Sequence, residues 1–286
     1  MVLSHQHFDL FGKIVLERVV FKPPFAYQND MQNEACLFYN IRGNTDIYSA
    51  LDRERLSENE CAILKCGKYF TNHTSYDSKV PSDVIGVHFY PDVIKAVFEN
   101  HIPSYLLNSP MNGKEQEINR VVVDAILENY IQSLLLLFEN PKLVTDELIA
   151  TKVKEVLLML INTDSKEAEK IRAIISDIFN PTQATFKEIV AAHYYDTLTT
   201  AQLAYLCNMS LSTFKRRFLE TFRENPATYM RKKKLERAAE LLKSSKESIA
   251  SICYDVGFSN TSNFVKIFSS HFNCTPSAYR KSDLLK

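Results

Sequence analysis

The stretch Met209-Ser-Leu-Ser-Thr-Phe-Lys-Arg-Arg-Phe218 combines residue types that touch nucleic acid with a spacing that decides which of them can do so. If Leu211, Phe214 and Phe218 form the inner face of a helix, a period of about 3.6 residues turns Ser212, Thr213, Lys215, Arg216 and Arg217 outward. Arg and Lys donate to guanine O6 and N7, while Ser and Thr reach either a base or a phosphate. About fifty residues later a second outward set, Thr261, Ser262, Asn263 and Lys266, sits beside inward Phe264, Ile267 and Phe268. An Asn in such a place can read adenine through two hydrogen bonds. A single exposed Lys is ordinarily a solvated surface charge; two matched sets argue for a surface that binds something.

These residues need short, well-capped helices, and the signals for them are present. Thr185-Phe-Lys-Glu188 and Thr199-Thr-Ala-Gln202 are capping boxes, Ser210 and Ser248 are N-caps, and Asn225-Pro226 opens a longer helix through Leu242. The inner face of the first helix is Phe186, Ile189, Val190 and His193 or Tyr194; Leu203, Leu206 and Cys207 continue the pattern. Each copy of the repeat is a short helix, a turn of three or four residues, and a second helix, a plan that can lay the second helix in a major groove. The two second helices, Ser210–Phe222 and Thr261–Phe272, would read two adjacent grooves about one turn apart.

Upstream the pattern changes. Between Lys13 and Tyr90, β-branched and aromatic runs (Ile14–Phe21, Ala35–Ile41, Ile47–Ala50, Cys61–Leu64, Val84–Tyr90) alternate with turn-forming pieces, which predicts a small barrel or sandwich. Helical spacing begins at Pro91 and recurs over Glu117–Phe138, Asp146–Ile161 and Lys166–Phe179. The apolar stripe Leu148, Ile149, Val156, Leu157 and Leu160 suits packing on the strands or on a second subunit. Asn180-Pro181-Thr182-Gln183 interrupts the pattern, so the expected division is 1–110 as a β domain, 111–180 as a helical linker and dimerisation region, and 181–286 as an all-α domain. The expected fold class is α+β.

The chain of 286 residues carries 34 Lys+Arg against 34 Asp+Glu, a neutrality that at first argues against a nucleic-acid partner. Divided at Pro181 it argues the other way: residues 181–286 hold 16 basic and 9 acidic residues, and residues 1–180 hold 18 and 25. Such a basic domain should bind DNA with a strong salt dependence. Six cysteines without a C-x-x-C pair, and histidines (His73, His88) remote from any metal-ligand spacing, predict reduced thiols, no metal and no cofactor. His5 and His7 are assigned to an N-terminal tail. Phe38, Tyr39, Tyr69, Phe70, Phe89 and Tyr90 either line a pocket or fill a core. No signal peptide or membrane-length apolar run is present, which predicts a cytoplasmic, nucleoid-associated protein without a membrane partner.

Residues 184–281 resemble the DNA-binding domain of the AraC/XylS family of bacterial transcription regulators. The resemblance rests on Met209–Phe218, Lys234-Leu-Glu-Arg-Ala-Ala239, Ile249–Asp255 with Val-Gly-Phe258, Asn263-Phe-Val-Lys-Ile-Phe268 and Thr275-Pro-Ser-Ala-Tyr-Arg280, in the family's order. It implies two helix-turn-helix subdomains joined by a long helix, here Pro226–Lys243, and a cupin-like barrel in the N-terminal part. It also implies double-stranded promoter or operator DNA and RNA polymerase as partners, a homodimer, and control by a small-molecule or protein effector. By the same resemblance Ser212, Thr213, Lys215, Arg216, Thr261, Ser262, Asn263 and Lys266 would contact bases, and Arg217 and Lys234 phosphates. Asn208, Asn225 and Asn273 stand where glycine is usual in the family, and Asn tolerates a left-handed backbone. The chain is also similar to the subgroup related to activators of type III secretion. Activation is the expected outcome and catalysis is not expected. The alternatives are a repressor, a cupin-type enzyme or sensor with a DNA-binding appendage, and a nonspecific chromatin organiser.

Overall fold

The computed structural model describes residues 1–75, 79–99, 103, 116–161, 166–179 and 185–282. The chain divides into two compact units, Met1–Ala184 and Thr185–Lys286. The break at 180–183 and the join between the expected 1–110 and 111–180 segments lie outside the described residues.

The first unit is β-rich and then helical. Its strands are β1 (Val2–Leu10), β2 (Lys13–Phe21), β3 (Phe25–Met31), β4 (Ala35–Arg42), β5 (Asn44–Tyr48), β6 (Arg53–Leu56), β7 (Glu60–Leu64), β8 (Gly67–Thr74), β9 (Ser82–Phe89) and β10 (Ile118–Val121). They form a six-stranded sheet in the order β1-β2-β9-β4-β7-β10 and a four-stranded sheet in the order β3-β8-β5-β6. Among the described residues these ladders make a β-rich unit of two sheets, as the strand pattern predicts. Period-two alternation sorts the side chains. Cys36, Ala62 and Leu64 of the larger sheet meet Met31, Ile47, Leu56 and Tyr69 of the smaller one. Leu37, Ile63, Ile85 and Val87 point the other way, into a core shared with helices. Burial on both faces leaves every residue of β9 buried.

Those helices are α1 (Pro91–Val97), α2 (Ala125–Glu139), α3 (Asp146–Ile161) and α4 (Lys166–Asp177). Asp124 caps α2 through its side chain, which accepts from the backbone N–H groups of Ile126 and Leu127. The helix expected from Glu117 begins only after β10, because Ile118–Val121 pairs with β7 and completes the sheet edge. His5 and His7 belong to β1, paired with β2, and not to a tail. Tyr39 and Phe89 are core residues, whereas Phe38, Tyr69 and Tyr90 line a cavity between the sheets. All six cysteines are free thiols. Among the described residues no cluster of His, Cys, Asp or Glu could hold a metal ion, and no helix is long and apolar enough to cross a membrane.

The second unit is helical: α5 (Phe186–Ala192), α6 (Thr200–Leu206), α7 (Leu211–Phe222), α8 (Pro226–Ser244), α9 (Ile249–Asp255), α10 (Thr261–Phe272) and α11 (Pro276–Ser282). Both capping boxes form, with Thr185 and Glu188, and Thr199 and Gln202, exchanging side-chain and backbone hydrogen bonds. Helices this short are marginal alone, so aromatic packing must hold them. Phe218 is fully buried, 5.5 Å from Phe214, 4.5 Å from Phe222 and 5.5 Å edge-on to Tyr229. Fifty residues later Phe268 repeats this with Phe264 at 5.6 Å, Phe272 at 4.6 Å and Tyr279 at 5.5 Å.

Candidate nucleic-acid interface

The two outward sets are built from the same local parts. Ser210 caps α7 by accepting from the Thr213 N–H at 3.2 Å, and Asn260 caps α10 by accepting from the Asn263 N–H at 2.9 Å. Burying Phe214 and Phe218 in one helix, and Phe264 and Phe268 in the other, sets their rotation. Ser212, Thr213, Lys215, Arg216 and Arg217 are exposed on α7; Ser262, Asn263 and Lys266 are exposed on α10, with Thr261 half-buried. Leu211, expected inside, is 41% exposed, because the helix turns on its two phenylalanines alone and carries Leu211 onto the outer face beside Ser212. The hydroxyls of Ser212 and Thr213 lie 3.0 and 2.9 Å from Ser210 Oγ, so the cap engages both.

Charge pairing separates the basic residues into groups. On α8, Lys232 pairs with Glu224 at 3.2 Å, Lys233 with Glu236 at 2.8 Å and Arg237 with Glu240 at 2.9 Å. Arg217 lays its guanidinium over the Phe186 ring, 4.9 Å from the centroid. Lys215, Arg216 and Lys266 make no ion pair among the described residues. Three unneutralised cations on the second turns of two equivalent helices form a surface suited to a polyanion.

Lys234 departs from the phosphate role expected of it. Its ammonium donates to the carbonyl oxygens of Asp196 at 2.6 Å and Gly257 at 2.8 Å, and burial lowers its pKa. The cation is thus a strut between the loop preceding α6 and the turn between α9 and α10. Its burial was hidden because a Lys in a four-residue basic run reads as surface. Arg231 is the opposite case, an exposed cation outside the expected contact set. With Thr228 and Lys232 it lines one side of a cleft of about 630 Å³ whose other side carries Asn263 and Lys266. Their i, i+3, i+4 spacing on α8 was a readable signal.

The turns refine the asparagine expectation. Asn208 and Asn273 do take left-handed backbone, each with φ of 56°, but Asn225 does not, with φ of −74°. Asn225 is instead the N-cap of α8, accepting from the Thr228 N–H at 3.0 Å, and Arg223 is the left-handed residue of that turn, with φ of 60°.

Comparison with known proteins agrees with this arrangement. Residues 203–282 match the family Helix-turn-helix domain, and residues 35–169 match the family ExsA N-terminal regulatory domain. An uncharacterized HTH-type transcriptional regulator of Haemophilus influenzae is 38% identical over 81 residues, covering 28% of this chain and 27% of the relative. The HTH-type transcriptional regulator ExsA of Pseudomonas aeruginosa is 21% identical over 261 residues, 91% of this chain and 90% of ExsA. The virulence regulon transcriptional activator VirF of Yersinia enterocolitica is 26% identical over 161 residues, 55% of this chain and 57% of VirF. The chain therefore spans about a quarter of the first of these relatives and most of the second. Both family matches fall in the expected order along the chain, and with the similarity to ExsA they support the AraC/XylS family of transcription regulators.

Proposed function

We propose that the protein is a sequence-specific transcription activator that docks α7 and α10 in two adjacent major grooves of promoter DNA. The observation that carries this is the unpaired, exposed set Lys215, Arg216 and Lys266 on the second turns of two pseudo-equivalent helices, in a domain with 16 basic and 9 acidic residues. Ser212, Thr213, Thr261, Ser262 and Asn263 supply the neutral donors and acceptors for base edges, and Arg217 a phosphate contact. Activation is favoured over repression by the name of the VirF relative. In this reading the N-terminal unit receives a small-molecule or protein effector, α2 and α3 supply a homodimer interface, RNA polymerase is the downstream partner, and the protein works in the cytoplasm.

The test begins with genome-wide mapping of bound DNA in the native host, followed by titration of the full chain against the mapped site. Arg216→Ala is expected to weaken binding by ~1–3 kcal/mol and to relax discrimination at one base position. Lys266→Ala should do so less strongly, since an ammonium lacks the planar fork of a guanidinium. Unchanged affinity in both variants overturns the groove assignment, and equal affinity for unrelated sequences at moderate salt makes the protein a nonspecific binder.

A further inference from the structure

The first unit holds a cavity of about 310 Å³ between its two sheets, lined by apolar Phe21, Met31, Phe38 and Leu64 and by polar Asn29, Thr71 and His73, with a corner of ionisable groups at one end. That volume accommodates on the order of ten groups the size of a water molecule. The corner holds a chain of ionisable groups. His88 Nδ1 is 2.8 Å from Glu34 Oε2 and its Nε2 is 3.2 Å from Glu17 Oε1. The other Glu17 oxygen, Oε2, is 2.8 Å from Nε2 of His5, which stands at the rim on edge strand β1 and is 41% exposed. Room for the contact comes from Gly86, opposite Glu17 in the ladder: a Cβ there would lie 3.0 Å from His88 Nε2 and 3.1 Å from Glu17 Cγ.

The charges decide what such a corner accepts. Burial opposes charge on His88, but hydrogen bonds to Glu17 and Glu34 outweigh it and push the pKa up to about 9, so the imidazolium persists at neutral pH. Burial likewise opposes ionisation of Glu17, and the hydrogen bonds and charge of His88 and His5 outweigh it and lower its pKa. His88 and, at the rim, His5 therefore serve two carboxylates, Glu17 and Glu34, and no Lys or Arg is among the described lining residues. An anionic ligand that displaced His5 would leave Glu17 and Glu34 sharing the His88 imidazolium and add a further negative charge, whereas a cation in the place of His5 completes the pairing. The aromatic walls also favour a cation and the apolar body attached to it.

We infer that this cavity binds a small organic amine, whose ammonium takes the place of His5 on Glu17 Oε2 and whose apolar body lies between Phe21 and Phe38. As the effector site of a regulator the inference rests on the proposed function; as a binding site it does not. The experiment is calorimetric titration of the full chain with 2-phenylethylamine, 2-phenylethanol and 3-phenylpropanoate, which share a ring and differ in head-group charge. The amine is expected to bind at roughly millimolar affinity or better, with the alcohol and the acid at least about tenfold weaker. Glu17→Gln is expected to remove that preference. Should Glu17→Gln fail to fold, His5→Ala at the exposed rim serves, and it should tighten amine binding by vacating Glu17 Oε2. Absent amine binding, an acid that binds as well as the amine, or an amine affinity unaltered by these substitutions overturns the inference. DNA binding measured on the same preparations keeps the two ideas apart: intact DNA binding without amine binding removes only the ligand, and the converse removes only the DNA-reading proposal.

Discussion

The two helix–turn–helix copies of the second unit are nearly superimposable in their cores and different at their turns. Phe218 and Phe268 meet their aromatic neighbours at distances that agree within 0.1 Å for three of the contacts described above. Yet the turn of the first copy carries Asn208 and that of the second Gly257, both left-handed, with φ of 56° and 78°. Asn208 is exposed, so a side chain there is accommodated. A Cβ on Gly257 would lie 1.9 Å from the Tyr195 carbonyl oxygen and 2.8 Å from Lys234 Nζ. The second turn is thus pressed against the loop that precedes α6, with Lys234 bonded to both segments, and the first turn has no such constraint. Packing within each copy follows the repeat, whereas Lys234 and Gly257 tie the second turn to the loop before α6.

The strongest way to break this comparison is Gly257→Ala. It combines left-handed strain with a clash against backbone, so a loss of about 4 kcal/mol or more is expected, against ~1 kcal/mol for Asn208→Ala. Chemical denaturation of both variants checks it, and equal losses would mean that the turns are equivalent after all. Next come Phe218→Ala and Phe268→Ala, each expected to cost ~3–5 kcal/mol and to agree closely because their cavities are alike. A large disparity between them would show that the two cores are not energetically matched. Lys234→Met is expected to cost ~1–3 kcal/mol by leaving the Asp196 and Gly257 carbonyls without their donor. Its salt dependence of DNA binding should stay that of the parent, whereas Arg217→Ala lowers the slope by about one. A reduced slope in Lys234→Met would restore it to the phosphate contacts. Smallest are the caps: Ser210→Ala and Asn260→Ala should each lose ~1 kcal/mol in thermal unfolding.

Much of the second unit was legible because its signals are local. Capping boxes and N-caps each act within one turn of helix, and short helices depend on them. The rotation of α7 was legible except at Leu211, whose hydrophobicity said nothing about whether a partner stood opposite. In the first unit, β1 was missed because Val2–Leu10 is an edge strand, almost wholly exposed, and lacks the apolar alternation of a buried one. The Glu17–His88–Glu34 chain was invisible for a different reason. Its members come from β2, β9 and the segment before β4, and only sheet pairing brings them together.

By itself, then, the sequence determined where the helices of the second unit begin, which polar residues of α7 and α10 face outward, and the segregation of positive charge into one domain. These are consequences of chain-local geometry and counting. Tertiary structure alone decided that the strands make two sheets with a cavity between them, that Lys234 is a buried strut, and that one turn demands glycine. Each of those depends on how close two distant segments approach, a distance that no spacing along the chain encodes.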